Sequence, residues 1–422
     1  MRILITLLFL LGHSQLVAEP LPRAAAGTVG MSSERLQQVT DFAHRNVAEG
    51  KHAGMVTMVA RHGKIVHFEA VGRYGIDNDK AMTRDTLFRI FSMTKPVTSV
   101  AIMMLYEEGA LQMSDPVSKF LPALKELKVY GKNGNLPAQT EITIEQLLTH
   151  TAGFTYGFRP DDPVDKLYRE AKLLESRDLD QFITRLSRLP LRFQPGTRYH
   201  YSVATDVLGA VVEKISGRTL EQFFLERIFV PLEMSDTFFS VPQDKLNRLA
   251  SNHGWDREAA ALAELPPEYN RPYTDVTFFS GGGGLVSSAM DYMIFCDMLR
   301  RGGSYNGVRI LGPKTVQYMT MNHLTPQVRN EGAGEYPESH LYPGQSFGLG
   351  FGVIMEPGLS QVVSSVGEYS WGGAADTKFW IDPEEDLVAI VMVQLMGSPW
   401  DTRYQMKAAT YQALTELWHG GR

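Results

Sequence analysis

Two side chains three residues apart are the clearest chemical statement in this chain: Ser92 and Lys95, within Arg89-Ile90-Phe91-Ser92-Met93-Thr94-Lys95-Pro96-Val97. A serine hydroxyl is a poor nucleophile until a neighbour takes its proton, and residues i and i+3 share one face of a helix. The Lys95 ammonium can therefore reach the Ser92 hydroxyl. A helix N-terminus adds a field that favours developing negative charge. The plain alternative is that Ser92 caps a helix and Lys95 is solvated, and a Ser-x-x-Lys spacing alone does not separate the two.

The elements around this pair are readable. Val97, Val100, Ala101, Met104 and Leu105 recur at helical spacing, and Gly109 follows as a stop, so a helix is expected from about Ser92 to Glu108. Pro96 fits only its first turn. Upstream, a helix carrying Leu36, Val39, Phe42, Ala43 and Val47 is expected behind a Ser32 or Ser33 cap. The runs Met55 to Ala60 and Ile65 to Val71 flank Arg61-His62-Gly63-Lys64, as in a hairpin. Between about 111 and 274 the helix signals dominate: Thr143 to Thr149, Asp178 to Leu189, Ala204 to Ser216 and Leu220 to Phe229. Strands return later, at Phe347 to Met355, Gln361 to Ser365, Thr377 to Ile381 and Leu387 to Gln394, before a closing helix from about Thr402 to Trp418. A sheet lobe of about 30–110 and 275–420 and a helical lobe of about 111–274 follow from this order.

The 422 residues are 44% hydrophobic and 21% charged, ordinary for a globular protein. A net charge of −6 without a Lys/Arg run offers no face for nucleic acid, and no zinc-type spacing or phosphate-binding glycine loop occurs. Met1-Arg2, the apolar run Ile3 to Leu11, and the stretch Gly12 to Ala18 with a small residue at the possible cleavage point Ala18 have the layout of a signal peptide over 1–18. With no second long apolar run, an extracytoplasmic protein (periplasmic or secreted) without stable membrane insertion is expected after signal removal. The single Cys296, in an apolar helical setting, reads as core.

Two further stretches carry side chains suited to a cleft. Phe193-Gln194-Pro195-Gly196-Thr197-Arg198-Tyr199-His200-Tyr201-Ser202-Val203 ends in a turn before the helix near Ala204, where Tyr201 either faces a cleft or is buried with its hydroxyl satisfied. Tyr369-Ser370-Trp371-Gly372-Gly373-Ala374 puts a glycine pair in a strand region, the mark of a bulge or of close backbone approach to a bound group.

In this order, the three stretches resemble the serine β-lactamase and penicillin-binding-protein superfamily, and within it the class C-related esterases (family VIII carboxylesterases). The family's Ser-x-x-Lys falls on Ser92 and Lys95, its Tyr-x-Asn on Tyr201-Ser202-Val203, and its Lys-Thr-Gly on Trp371-Gly372-Gly373. Leu147-Leu148-Thr149-His150-Thr151-Ala152-Gly153, Gly282-Gly283-Gly284-Leu285 and Phe347-Gly348-Leu349-Gly350-Phe351-Gly352 support the match, which covers about 30–420. The resemblance implies an α+β, β-lactamase-like fold: an antiparallel sheet flanked by helices plus a mostly helical lobe. It implies Ser92 as nucleophile, Tyr201 and Lys95 as the base system, and the backbone N–H groups of Ser92 and Ala374 as oxyanion hole. No metal or cofactor is implied. His150 is expected to be structural and Lys378 to be a strand-surface lysine.

Trp371 brings no ammonium to the place where a β-lactamase meets the drug's carboxylate, and Val203 brings no amide. With Trp371, Gly372, Gly373 and Val203 against substrate, the site is expected to take a small uncharged acyl or aryl ester. The alternatives are a D,D-peptidase or weak class C-type β-lactamase and, from another class, a non-hydrolytic penicillin-recognising sensor or an acyltransferase.

Overall fold

The computed structural model describes residues 20–270, 273–332 and 341–418, so the expected signal segment 1–18 lies outside the described residues. Strands from both parts of the chain form one antiparallel sheet. In chain order they are β1 (Gly54–Arg61), β2 (Lys64–Gly75), β3 (Asn78–Ala81), β4 (Gln345–Phe347), β5 (Gly352–Ile354), β6 (Tyr369–Gly372), β7 (Lys378–Asp382) and β8 (Leu387–Met392). Their spatial order is β4-β5-β6-β7-β8-β1-β2-β3. The early hairpin is thus stitched to the late strands by the β1–β8 pairing, with Met58 opposite Ile390.

Period-2 alternation assigns each face of the central strands to a different core. Met55 and Val59 of β1, Leu387, Ala389 and Val391 of β8 and Trp380 of β7 pack with Val39, Phe42 and Met406. These last three come from the helices α1 (Ser33–Ala48) and, at the far end of the chain, Thr402–Tyr411. Val56, Met58, Val388, Ile390, Phe379 and Ile381 point to the opposite face, into the large core shared with the helices that carry the site. At the centre of that core is α2 (Thr94–Glu107), which has twelve buried residues in a row from Thr94 to Leu105. A helix apolar on nearly all sides must be enclosed. α2 packs against α3 (Ala204–Ser216), closed by Gly217 at φ 68°, and the Tyr292 hydroxyl of helix Ala289–Arg300 donates to the Met93 carbonyl at its start.

Three expected elements differ. Gln361 to Ser365 is not a strand; the strand begins at Tyr369. Here Gln361 has a φ of 57°, and the Ser360 hydroxyl donates to the Pro357 and Val362 carbonyls, so local side-chain bonds replace the ladder. Phe347 to Met355 is two strands, because Gly350 turns the chain at φ 95°. The closing helix ends at Tyr411 rather than Trp418. Ser32, not Ser33, caps α1, its hydroxyl accepting from the Arg35 N–H at 3.2 Å.

Candidate active site

Ser92 occupies a single 3-10 turn, Phe91–Met93, that leads directly into α2. Phe91 before it has a φ of 43°, a left-handed conformation that costs a bulky residue on the order of 1–3 kcal/mol. Ser92 caps nothing: the cap position of α2 is Met93, and no side chain caps there. Instead, the Ser92 Oγ accepts from Lys95 Nζ at 3.1 Å. Lys95, only 1% exposed, also donates to the Gly282 carbonyl at 2.6 Å and to the Tyr156 hydroxyl at 2.9 Å. An ammonium has three protons, and these three acceptors match them in number.

Tyr201 lies on the segment that enters α3, with its ring centroid 4.7 Å from Lys95 Nζ. Its ring packs at centroid distances of 4.7 Å from His150, 5.4 Å from Tyr156 and 5.5 Å from Trp371. His150 is buried at φ 54°, and its Nδ1 accepts weakly from the Ser202 N–H at 3.4 Å. It thus backs the Tyr201 turn, outside the lining of the cavity that holds Ser92.

The third wall comes from β6. Gly373 leads out of that strand and passes so close to the Ile90 carbonyl, two residues before Ser92, that a Cβ there would collide with it and with Thr377 Oγ1. Only glycine lets this edge approach the nucleophile turn. Ser92, Tyr201, Trp371, Gly372, Gly373 and Ala374 consequently line one cavity of about 200 Å³, with Phe158 and Tyr342 as further apolar wall. The Ala374 N–H has no acceptor among the described residues, so it is available to a developing oxyanion.

Two expectations shift. Val203 is 2% exposed and lines a neighbouring cavity with Tyr156 and Tyr168 rather than the one holding Ser92; its place at the start of α3 turns it behind the tyrosines. Lys378 is not a strand-surface lysine but part of the Ser92 cavity wall. The β6–β7 register sets it opposite Gly372, which has no side chain, so Lys378 folds over that strand. Its ammonium meets Asp376 at 3.2 Å. Burial pushes the Asp376 carboxyl up, but Lys378, His52 and Thr402 prevail and hold it below its usual range.

Sequence reasoning missed two residues. Tyr156, in Gly153-Phe154-Thr155-Tyr156-Gly157-Phe158, has nothing local to distinguish it from core aromatics; the motif before it, ending at Gly153, was the available signal. Its phenol is pushed well above the usual value, first by burial and then by Asp206 and Tyr201. Asp206, in the first turn of α3, is fully buried. Burial raises its carboxyl, opposed most by Lys95 and then by hydrogen bonds from Ser280 and Gly282. Among the described residues, no group of three or more His, Cys, Asp or Glu side chains is placed to hold a metal ion.

Known proteins share this architecture. The Beta-lactamase family model matches residues 39–413. An uncharacterised protein of Mycobacterium tuberculosis is 36% identical over 355 residues, covering 82% of this chain and 86% of its own. The esterase EstB of Burkholderia gladioli is 29% identical over 379 residues, covering 86% and 90%. Among solved structures, EstCE1, described as a hydrolase with promiscuous acyltransferase activity, superposes with a TM-score of 0.75 at 27% identity, covering 90% of this chain and 99% of its own. With an antiparallel sheet, a Ser-Lys-Tyr cluster and a family match from the first helix to the last, the chain belongs to the Beta-lactamase family.

Proposed function

We propose that the protein is a serine hydrolase that cleaves carboxylic esters through an acyl-serine intermediate. The observation that carries this reading is the 3.1 Å contact from Lys95 Nζ to Ser92 Oγ, in a cavity walled on one side by Trp371. Its similarity to EstB and EstCE1 supports the same chemistry. Ser92 Oγ attacks the ester carbonyl as its proton passes to the Tyr201 oxygen, which enters the step as phenolate and leaves it as phenol. The carbonyl electron pair moves onto oxygen, facing the N–H groups of Ser92 and Ala374. Collapse of the tetrahedral adduct expels the alcohol, which takes the proton from Tyr201, and water repeats the sequence on the acyl-serine. Lys95 stays beside the Ser92 oxygen and over the Tyr201 ring.

The substrate is a small, uncharged acyl or aryl ester. Trp371 opens the third motif with an indole, and Lys378 in the wall is engaged by Asp376. The location is extracytoplasmic, a reading that rests on the N-terminal sequence pattern alone.

Fluorophosphonate labelling followed by turnover of p-nitrophenyl butyrate tests the reaction. The expected result is one labelled serine, Ser92, and multiple turnover exceeding that on penicillins or cephalosporins by orders of magnitude. Labelling without turnover would make the protein a sensor, and a new ester formed from an added alcohol would make it an acyltransferase. Efficient hydrolysis of a carboxylated penicillin would overturn the substrate assignment and turn attention to Lys378 and Arg403 in the cavity wall.

A further inference from the structure

The chemistry above leaves one fully buried carboxylate next to Lys95 unused. Asp206 Oδ1 accepts from the Ser280 hydroxyl at 2.5 Å and from the Gly282 N–H at 3.0 Å. Gly282 then presents its own carbonyl to Lys95 Nζ at 2.6 Å. One residue thus connects carboxylate to ammonium, and a hydrogen bond from the Thr98 hydroxyl to the Gly281 carbonyl at 2.7 Å ties the same loop to α2. The other oxygen, Asp206 Oδ2, is buried and has no hydrogen-bond partner among the described residues. A Cβ on Gly282 would stand 2.5 Å from that oxygen and 2.9 Å from the Tyr156 hydroxyl, so carboxylate and phenol crowd the same backbone atom and only glycine fits between them.

We propose, building on the reading of Ser92 and Lys95 as nucleophile and activator, that Asp206 is the buried counter-charge of Lys95, joined to it through Gly282, and acts as a positioning residue for catalysis. A carboxylate that served only to hold the 280–284 loop would need one acceptor oxygen, which an amide supplies equally well. The orphaned Oδ2 is what a loop-holding role leaves unexplained: a buried charged oxygen without a hydrogen bond is costly unless a nearby cation offsets it. Lys95 from α2 is that cation, and Tyr156, which also faces this carboxylate, is kept a neutral phenol by burial and by Asp206 itself. Each side supports the other. Asp206 balances the Lys95 ammonium, whose protons are directed at Gly282, Tyr156 and Ser92, which leaves no lone pair to take the proton of Ser92. That proton goes to Tyr201.

The test uses the full chain and two readouts: steady-state pH–rate profiles on p-nitrophenyl butyrate, and the rate of fluorophosphonate labelling of Ser92. Asp206→Asn keeps the acceptor for Gly282 and removes the charge. It should lower kcat by about 10- to 100-fold with KM within about threefold, slow labelling in parallel, and move the high-pH limb to lower pH because the ammonium has lost its counter-charge. Asp206→Ala should do more harm, and Asp206→Glu should restore part of the loss. Wild-type kcat and an unmoved limb in Asp206→Asn would overturn the proposal. So would a faster reaction at pH 7, the signature of Lys95 working as a free amine. If circular dichroism shows that Asp206→Asn does not fold, Ser280→Ala decides. Loss of one hydrogen bond to the ionised carboxylate should move the low-pH limb upward with a several-fold loss in rate, and an unmoved limb refutes the role. A wild-type protein that labels at Ser92 but fails to turn over esters would instead overturn the hydrolase reading, while the labelling rates still judge Asp206.

Discussion

Two tyrosines face Lys95 from different parts of the helical region, one through its hydroxyl and the other through its ring. Tyr156, on the loop after Gly153, makes the direct contact: its hydroxyl lies 2.9 Å from Lys95 Nζ. Tyr201, on the approach to α3, presents its ring to the ammonium and its flank to Trp371 in the wall of the Ser92 cavity. Proximity to the lysine favours Tyr156, whereas burial counts against its phenolate. Burial and the nearby Asp206 both make a Tyr156 phenolate expensive, so that phenol keeps its proton and serves as a fixed acceptor for Lys95. What matters for a base is the cost of its charged form and access to the nucleophile, and of these two tyrosines only Tyr201 lines the cavity that holds Ser92.

The contrast presupposes that Ser92 is the nucleophile, and its removal carries the largest expected effect. Ser92→Ala should abolish both ester turnover and fluorophosphonate labelling. Because Ser92 caps no helix, melting temperature should stay close to wild type, where a lost cap would cost about 1 kcal/mol. Undiminished turnover in that variant would end the assignment. Next comes Lys95→Ala, which removes the charge that both tyrosines face and leaves Gly282 without its donor. Turnover should fall by at least the 10²- to 10⁴-fold that a positioned proton-transfer group is worth. A milder loss than in Tyr201→Phe, measured on the same ester, would show that the ammonium is peripheral to the proton transfer.

How far the sequence revealed this arrangement depended on whether a residue's partners are close in the chain. Ser92 and Lys95 are one helical turn apart, so their contact follows from local geometry. Tyr201, Trp371 and Gly373 were found through ordered motifs, although nothing local dictates that Gly373 must slip past the Ile90 carbonyl. The strands β7 and β8 were legible because Leu387 to Met392 is apolar on both faces of a doubly covered sheet. By contrast, Val362 and Val363 are β-branched yet sit in a loop, where serine hydroxyls on either side both donate to the Val362 carbonyl. Tyr156 and Asp206 acquire their meaning only through Gly282, 126 and 76 positions away in the numbering. Lys378 was misjudged for a related reason. A strand lysine next to a side chain of any size would point away, and it reaches the cavity only because its cross-strand neighbour is Gly372.

The smallest expected effect is the one that separates the two tyrosines. Tyr201→Phe removes the proposed proton acceptor and should lower the acylation rate by about 10² to 10⁴, with loss of the limb that reports the acceptor's titration. Tyr156→Phe removes only a hydrogen-bond acceptor from a charged donor, an interaction worth about 1.5–3 kcal/mol where no replacement exists and less where the Ser92 oxygen and the Gly282 carbonyl still hold the ammonium. A loss of about 3- to 30-fold is expected, with the limb that disappears in Tyr201→Phe retained. Its high-pH limb should shift slightly downward, since an ammonium with one acceptor fewer gives up its proton more readily. Both profiles should be measured on one activated ester under single-turnover conditions, so that acylation is read without deacylation. Were Tyr156→Phe the more damaging change, or were its limb the one to vanish, the roles would be exchanged: the hydrogen bond to Lys95 would mark the base, and Tyr201 would be reduced to a wall of the cavity.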